Sequence, residues 1–131
     1  MTTKTTDQRI GTASTRYQGS YKRVLCVCAG GLLRSPTAAF VLSQEPYNHN
    51  TRSAGINPTY ALINVDTVLL SWADEIVCME EEMAVSIRAL LTKVLGGKDK
   101  PILCLGIPDH FSYRDPELIE MIRKRYDNAK A

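Results

Sequence analysis

The sequence predicts an α/β domain in three layers, with a four-stranded parallel sheet between helices on both faces, and three observations predict it. Runs at 23–28, 75–79 and 101–105 are short, apolar and rich in Val, Leu, Ile and Cys, as strands covered on both faces are. They alternate with segments whose apolar residues recur at helical spacing, the pattern of β-α-β crossovers onto a parallel sheet. The first run also breaks at once into Ala29-Gly30-Gly31-Leu32-Leu33 and restarts as a helix at Ser35-Pro36, so it reads as strand, tight loop, helix.

Residues 1 to about 20 are polar and rich in Thr and Ser, with little to bury except Ile10 and Tyr17, and the segment 1–21 reads as a flexible tail. The domain proper is expected over 22–131. Its first strand is Arg23 to Cys28, and Ser35 stands as an N-cap with Pro36 at the first helical position. That helix ends near Glu45, because Pro46 follows and Asn48-His49-Asn50 is turn material. Thr51 to Ala54 makes a second strand. Asn57-Pro58 marks a loop through Tyr60, and Asp66 caps a short helix through Val68, Leu69 and Trp72.

Glu75 to Met79 is the third strand. Glu80, Glu81 and Glu82 then place negative charge in a first helical turn, where the peptide dipoles favour it. Met83, Ile87, Leu90, Leu91 and Val94 give that helix its apolar stripe, and Gly96-Gly97 stops it. Pro101 to Leu105 is the fourth strand, Gly106 to Arg114 a long loop, and Asp115-Pro116 the cap and first turn of a last helix. Leu118, Ile119, Ile122 and Tyr126 form its buried face.

A chain of 131 residues is expected to form one domain with a core of its own. The formal charge of +2 gives no footprint for nucleic acid or a membrane surface. Four cysteines, at 26, 28, 78 and 104, fall mostly in apolar strands without disulfide-scaffold spacing, so they read as reduced. Neither a signal-peptide pattern nor a span-length apolar run is present, and a soluble, cytoplasmic protein is expected. His49 and His110 share no metal-ligand spacing with the cysteines, so no metal and no cofactor is expected.

The chemistry concentrates in the first loop. Its backbone N–H groups point inward and it ends on the positive pole of a helix, which suits an anion. Cys28 opens the loop and Arg34 closes it, spaced so that a planar guanidinium and the amides of 29–33 surround one tetrahedral oxyanion above the sulfur. A helix N-terminus and a nearby cation both favour the thiolate form that acts as nucleophile. Cys26, two residues earlier in the same strand, reads as core instead.

Cys28 to Pro36, C-x5-R-S-P after an apolar strand, resembles the signature loop of the low-molecular-weight protein tyrosine phosphatases. Arg52-Ser53-Ala54-Gly55, Trp72 to Met79 and Ile107-Pro108-Asp109-His110-Phe111 fall in that family's order, most like its short, phage- and bacteria-associated branch. The resemblance covers roughly residues 22 to 126 and implies strand order 2-1-3-4. It implies in-line attack by Cys28 on a phosphomonoester, a phosphocysteine intermediate, and release of inorganic phosphate. Arg34 and the backbone of Ala29, Gly30, Gly31, Leu32 and Leu33 would hold the phosphoryl oxygens, and Ser35 would hydrogen-bond the leaving sulfur. Asp109 is the expected general acid, with Asp115 as its competitor, and Tyr60, Phe111 and Tyr113 are expected at the mouth, suiting phosphotyrosine or a small aryl phosphate.

Three positions depart from the family. Gly31 stands where Asn is usual, Leu33 where a second cysteine is usual, and His110 where Pro is usual. Without a neighbouring thiol, oxidation of Cys28 is expected to be harder to reverse. Two other readings follow from the residues: a non-catalytic module that binds phosphate or phosphotyrosine, and a thiol-dependent arsenate reductase, which would need resolving cysteines near Cys28.

Overall fold

The computed structural model describes residues 21–28, 34–56, 64–94, 96, 100–108 and 111–130. Four parallel strands form one sheet: β1 (Arg23–Cys28), β2 (Asn50–Gly55), β3 (Glu75–Cys78) and β4 (Ile102–Cys104), in the order β2-β1-β3-β4. Between and after them run α1 (Arg34–Ser43), α2 (Thr67–Trp72), α3 (Glu81–Val94) and α4 (Pro116–Lys130). The expected strand order is therefore observed. The expected tail lies outside the described residues, except for Tyr21 at its end.

Right-handed crossovers explain the layering. The chain moves one way from β1 to β2 and the other way from β2 to β3 and on to β4, so α1 falls on one face and α2 and α3 on the other. The last helix, α4, packs on α1. Central β1 is covered on both sides, and Val24, Leu25, Cys26 and Val27 are wholly buried, with Cys26 in the core as expected. Met83, Ile87 and Leu91 bury the stripe of α3, and Leu118, Ile122 and Tyr126 that of α4.

Boundaries moved by a residue or two. Asp66 caps α2 as expected, its carboxylate accepting from Leu69 N at 2.8 Å. Helix α1 begins at Arg34, one residue before the expected cap, and ends at Ser43, so Ser35 sits inside the first turn. Asn48 turns the chain in the left-handed region, with φ of 53°. After β4, Gly106 takes φ of 65°, and Arg125 of α4 donates to the carbonyls of Leu105 and Gly106 at 2.9 and 2.7 Å.

Candidate active site

The carboxyl edge of the sheet brings together Cys28, Arg34 and Ser35. In an open parallel sheet a ligand site forms there, where the chain direction across the sheet reverses beside β1. Cys28 is the last residue of β1, and its Sγ lies 3.1 Å from Ser35 Oγ in the first turn of α1. Both side chains are buried. The Ser35 hydroxyl meets the sulfur as the resemblance implies, and it does so from inside the first turn and not from the N-cap position, because the helix starts one residue earlier.

Arg34 is 2% exposed, which for a guanidinium requires partners. Its Nη1 donates to Glu80 Oε2 at 3.1 Å and to the Ile107 carbonyl at 2.8 Å. These two acceptors come from the segments that follow β3 and β4, so three strand ends converge on one side chain. The backbone reinforces the convergence: Met79 N donates to Val27 O at 3.0 Å, and Ile107 N to Met79 O at 2.8 Å. Glu80 had only a helix-dipole role in the sequence. The signal that could have revealed more was its position directly past β3, on the same edge as Cys28.

Past Ile107, Phe111 packs into the buried cluster, whereas Tyr113 is 47% exposed. Arg114 N donates to Thr37 Oγ1 at 2.9 Å, and its guanidinium carbon lies 3.7 Å from the ring centre of Phe40. Helix α1 thus carries Arg34 and Ser35 at one point and grips the loop after β4 at another. Asp115 does what its local sequence suggests: Oδ1 accepts from Glu117 N at 2.9 Å at the head of α4. Ala29, Gly30, Gly31, Leu32, Leu33, Tyr60, Asp109 and His110 lie outside the described residues.

The remaining cysteines bear on the arsenate reductase reading. Cys78 and Cys104 prove to be direct partners on neighbouring strands β3 and β4. Cys78 is also in register with Val27, so it shares that residue's face of the sheet and not the face of Cys28. Burial pushes the Cys78 thiol up to about 12 and raises Cys104 as well, which makes both poor nucleophiles. The pair is close but turned away from Cys28. Among the described residues, no group of three or more His, Cys, Asp or Glu side chains is arranged to hold a metal ion, and no helix is long and apolar enough to cross a membrane.

No protein-family model matches the chain. No curated protein matches it in sequence. Solved structures do match in fold. Wzb from Vibrio vulnificus in complex with benzylphosphonate is 20% identical over 83% of this chain and 94% of its own, with a TM-score of 0.58. The tyrosine phosphatase Wzb from Escherichia coli K30 in complex with phosphate is 16% identical over 82% and 95%, with a TM-score of 0.60. The YwlE arginine phosphatase from Geobacillus stearothermophilus is 21% identical over 83% and 86%, with a TM-score of 0.51. The chain has the fold of these phosphatases, as the resemblance in its sequence implies.

Proposed function

We propose that this protein is a cysteine-dependent phosphatase that hydrolyses phosphotyrosine-like aryl phosphomonoesters through a phosphocysteine intermediate. The observation that carries the reading is the 3.1 Å contact of Cys28 Sγ with Ser35 Oγ, beside a buried Arg34. A sulfur at a strand end, a hydroxyl donor and a fixed cation are the parts that phosphoryl transfer to thiolate needs. The fold shared with tyrosine and arginine phosphatases supports the same assignment.

In the first step the Cys28 thiolate attacks phosphorus and a P–S bond forms as the P–O bond to the leaving group breaks. Asp109 gives the departing oxygen its proton. Arg34, with the amides of Ala29, Gly30, Gly31, Leu32 and Leu33, balances charge on the three equatorial oxygens. In the second step water attacks phosphorus, Asp109 takes the water's proton, and the sulfur leaves as a thiolate that Ser35 stabilises. Inorganic phosphate is released. The chain supplies nucleophile, acid and cation, so the cycle needs no cofactor.

An aryl substrate is favoured over a phosphoguanidine by exposed Tyr113 in the loop after β4; Phe111, expected at the mouth, is buried in the core cluster instead. Tyr60 is assigned to the same mouth from its place in the sequence. Nitrophenyl phosphate hydrolysis by wild type and Cys28→Ser, compared in chelator, tests the reading. Activity confined to wild type is the expected result; equal rates, or activity only with added metal, would overturn it. Turnover of phosphoarginine in preference to the aryl ester would keep the chemistry and change the substrate.

A further inference from the structure

We propose that Thr37 and Arg114 are positioning residues that hold the proton-donor loop against the helix carrying Arg34 and Ser35. The inference rests on the hydrolase reading and adds to it the device that aims the acid. Thr37 lies one turn after Arg34 in α1 and is wholly buried. Its Oγ1 accepts from the backbone N–H of Arg114 at 2.9 Å.

Arg114 has φ of 58°, a left-handed conformation that a residue with a Cβ takes up when its surroundings hold it there. Two contacts hold it. Its guanidinium carbon is 3.7 Å from the ring centre of Phe40, one turn past Thr37, and 5.1 Å from that of Tyr113. Asp115 N closes the turn onto Ser112 O at 3.1 Å.

The other end of the same segment is fixed to the same helix, since Ile107 O accepts from Arg34 Nη1 at 2.8 Å. The chain from 107 to 114 is therefore bonded at both ends to the first turns of α1. Asp109 falls between the two anchors in sequence, and Asp115 directly follows the second. A general acid works only within hydrogen-bond reach of the leaving oxygen, so slack at either anchor costs proton transfer before it costs substrate binding.

The test is the ratio of kcat for nitrophenyl phosphate to kcat for phenyl phosphate, because the poorer leaving group depends more on the acid. Thr37→Val and Thr37→Ala remove the acceptor in two ways, one keeping the volume and one avoiding overpacking, so a folded variant can be chosen by its melting curve. Either should raise the ratio roughly tenfold, a part of the 10² to 10⁴ an acid typically contributes, with KM little changed. Thr37→Ser, which restores the hydroxyl, should return the ratio to the wild-type value. A lowered Tm with an unchanged ratio would mean a structural role only and would overturn the inference. An inactive wild type would instead overturn the hydrolase reading, and the inference with it.

Discussion

Arg34 and Glu80 are joined across the carboxyl edge of the sheet, Nη1 to Oε2 at 3.1 Å, and the same nitrogen also reaches the Ile107 carbonyl. One end of the guanidinium is thus committed to the protein, which fixes the plane in which the rest of it lies. Lysine would keep the charge but could not span both acceptors and still present a planar fork to phosphate. Arg34→Lys is therefore expected to lower kcat/KM by about 10² to 10³, the range for losing a fixed oxyanion donor. Near-normal turnover would contradict the cradle. Glu80→Gln keeps an acceptor and removes a negative charge, so kcat should fall several-fold while inorganic phosphate inhibits at least as well as before. Weaker phosphate inhibition would show that Glu80 does more than orient Arg34.

Ser35 and Cys28 make the second prediction. In the proposed cycle the hydroxyl 3.1 Å from the sulfur donates to the thiolate as it leaves phosphorus. Hydrogen bonds to charged groups are worth about 1.5 to 3 kcal/mol, which converts to roughly 10- to 150-fold. Ser35→Ala should slow breakdown of the phosphocysteine by that amount, so that rapid mixing shows a burst of nitrophenol. A fall in the rate without a burst would place the hydroxyl's effect on the first step.

Much of this site was legible because it is local. Cys28, Arg34 and Ser35 lie within one strand-loop-helix unit, and the glycines between them declare the loop. The parallel sheet was legible from apolar runs, and the caps Asp66 and Asp115 from the residues that follow them. What the sequence hid were contacts between segments far apart in the chain. Glu80 bonds Arg34 across 46 positions and Thr37 bonds Arg114 across 77. Each has an adequate local explanation, a helix-end charge and a helix-start hydroxyl, so neither pattern points to its distant partner. The register that pairs Cys78 with Cys104 was hidden for the same reason: strand pairing follows from topology.

Acid should loosen the opposite edge of the sheet. Glu75, 1% exposed at the start of β3, accepts from Lys130, Lys22 and Tyr126, and Tyr126 Oη lies 3.2 Å from His49 Nε2. Burial raises the Glu75 carboxyl, but the three hydrogen bonds outweigh it and hold it below 4.5. Burial and then Lys22 hold His49 below 6.5, with Glu75 pulling the other way and Lys130 adding to the depression; the Tyr47 and Tyr126 rings flank it. Both groups take up protons more readily in the unfolded chain. Stability is therefore full above about 6.5, falls as pH drops to the folded value of His49, and falls again below 4.5 as Glu75 protonates. His49→Gln should flatten the loss of Tm between pH 7 and pH 5. An unchanged acid slope would assign it to other groups.

Two aspartates compete for the role of general acid, and their surroundings separate them. Asp115 is occupied at the head of α4: its Oδ1 accepts from Glu117 N at 2.9 Å, its backbone N–H donates to Ser112 O, and its carbonyl accepts from Ile119 N. A carboxylate that caps a helix is held as an acceptor and is poorly placed to give up a proton to a substrate. Asp109 stands two residues after Ile107, whose carbonyl is bonded to Arg34, so its place in the chain is close to a group that touches the side chain proposed to hold phosphate. Asp109→Asn is expected to slow phenyl phosphate hydrolysis by about 10² or more and a nitrophenyl ester much less, with the melting curve unchanged. Asp115→Asn keeps a side-chain acceptor that caps about as well and should leave both turnover and stability nearly intact, whereas Asp115→Ala should cost on the order of 1 kcal/mol of stability through the lost cap, with turnover per folded molecule little changed. The reverse pattern, a leaving-group-dependent loss at Asp115 and none at Asp109, would move the acid to the start of α4 and require that helix end to shift when substrate binds.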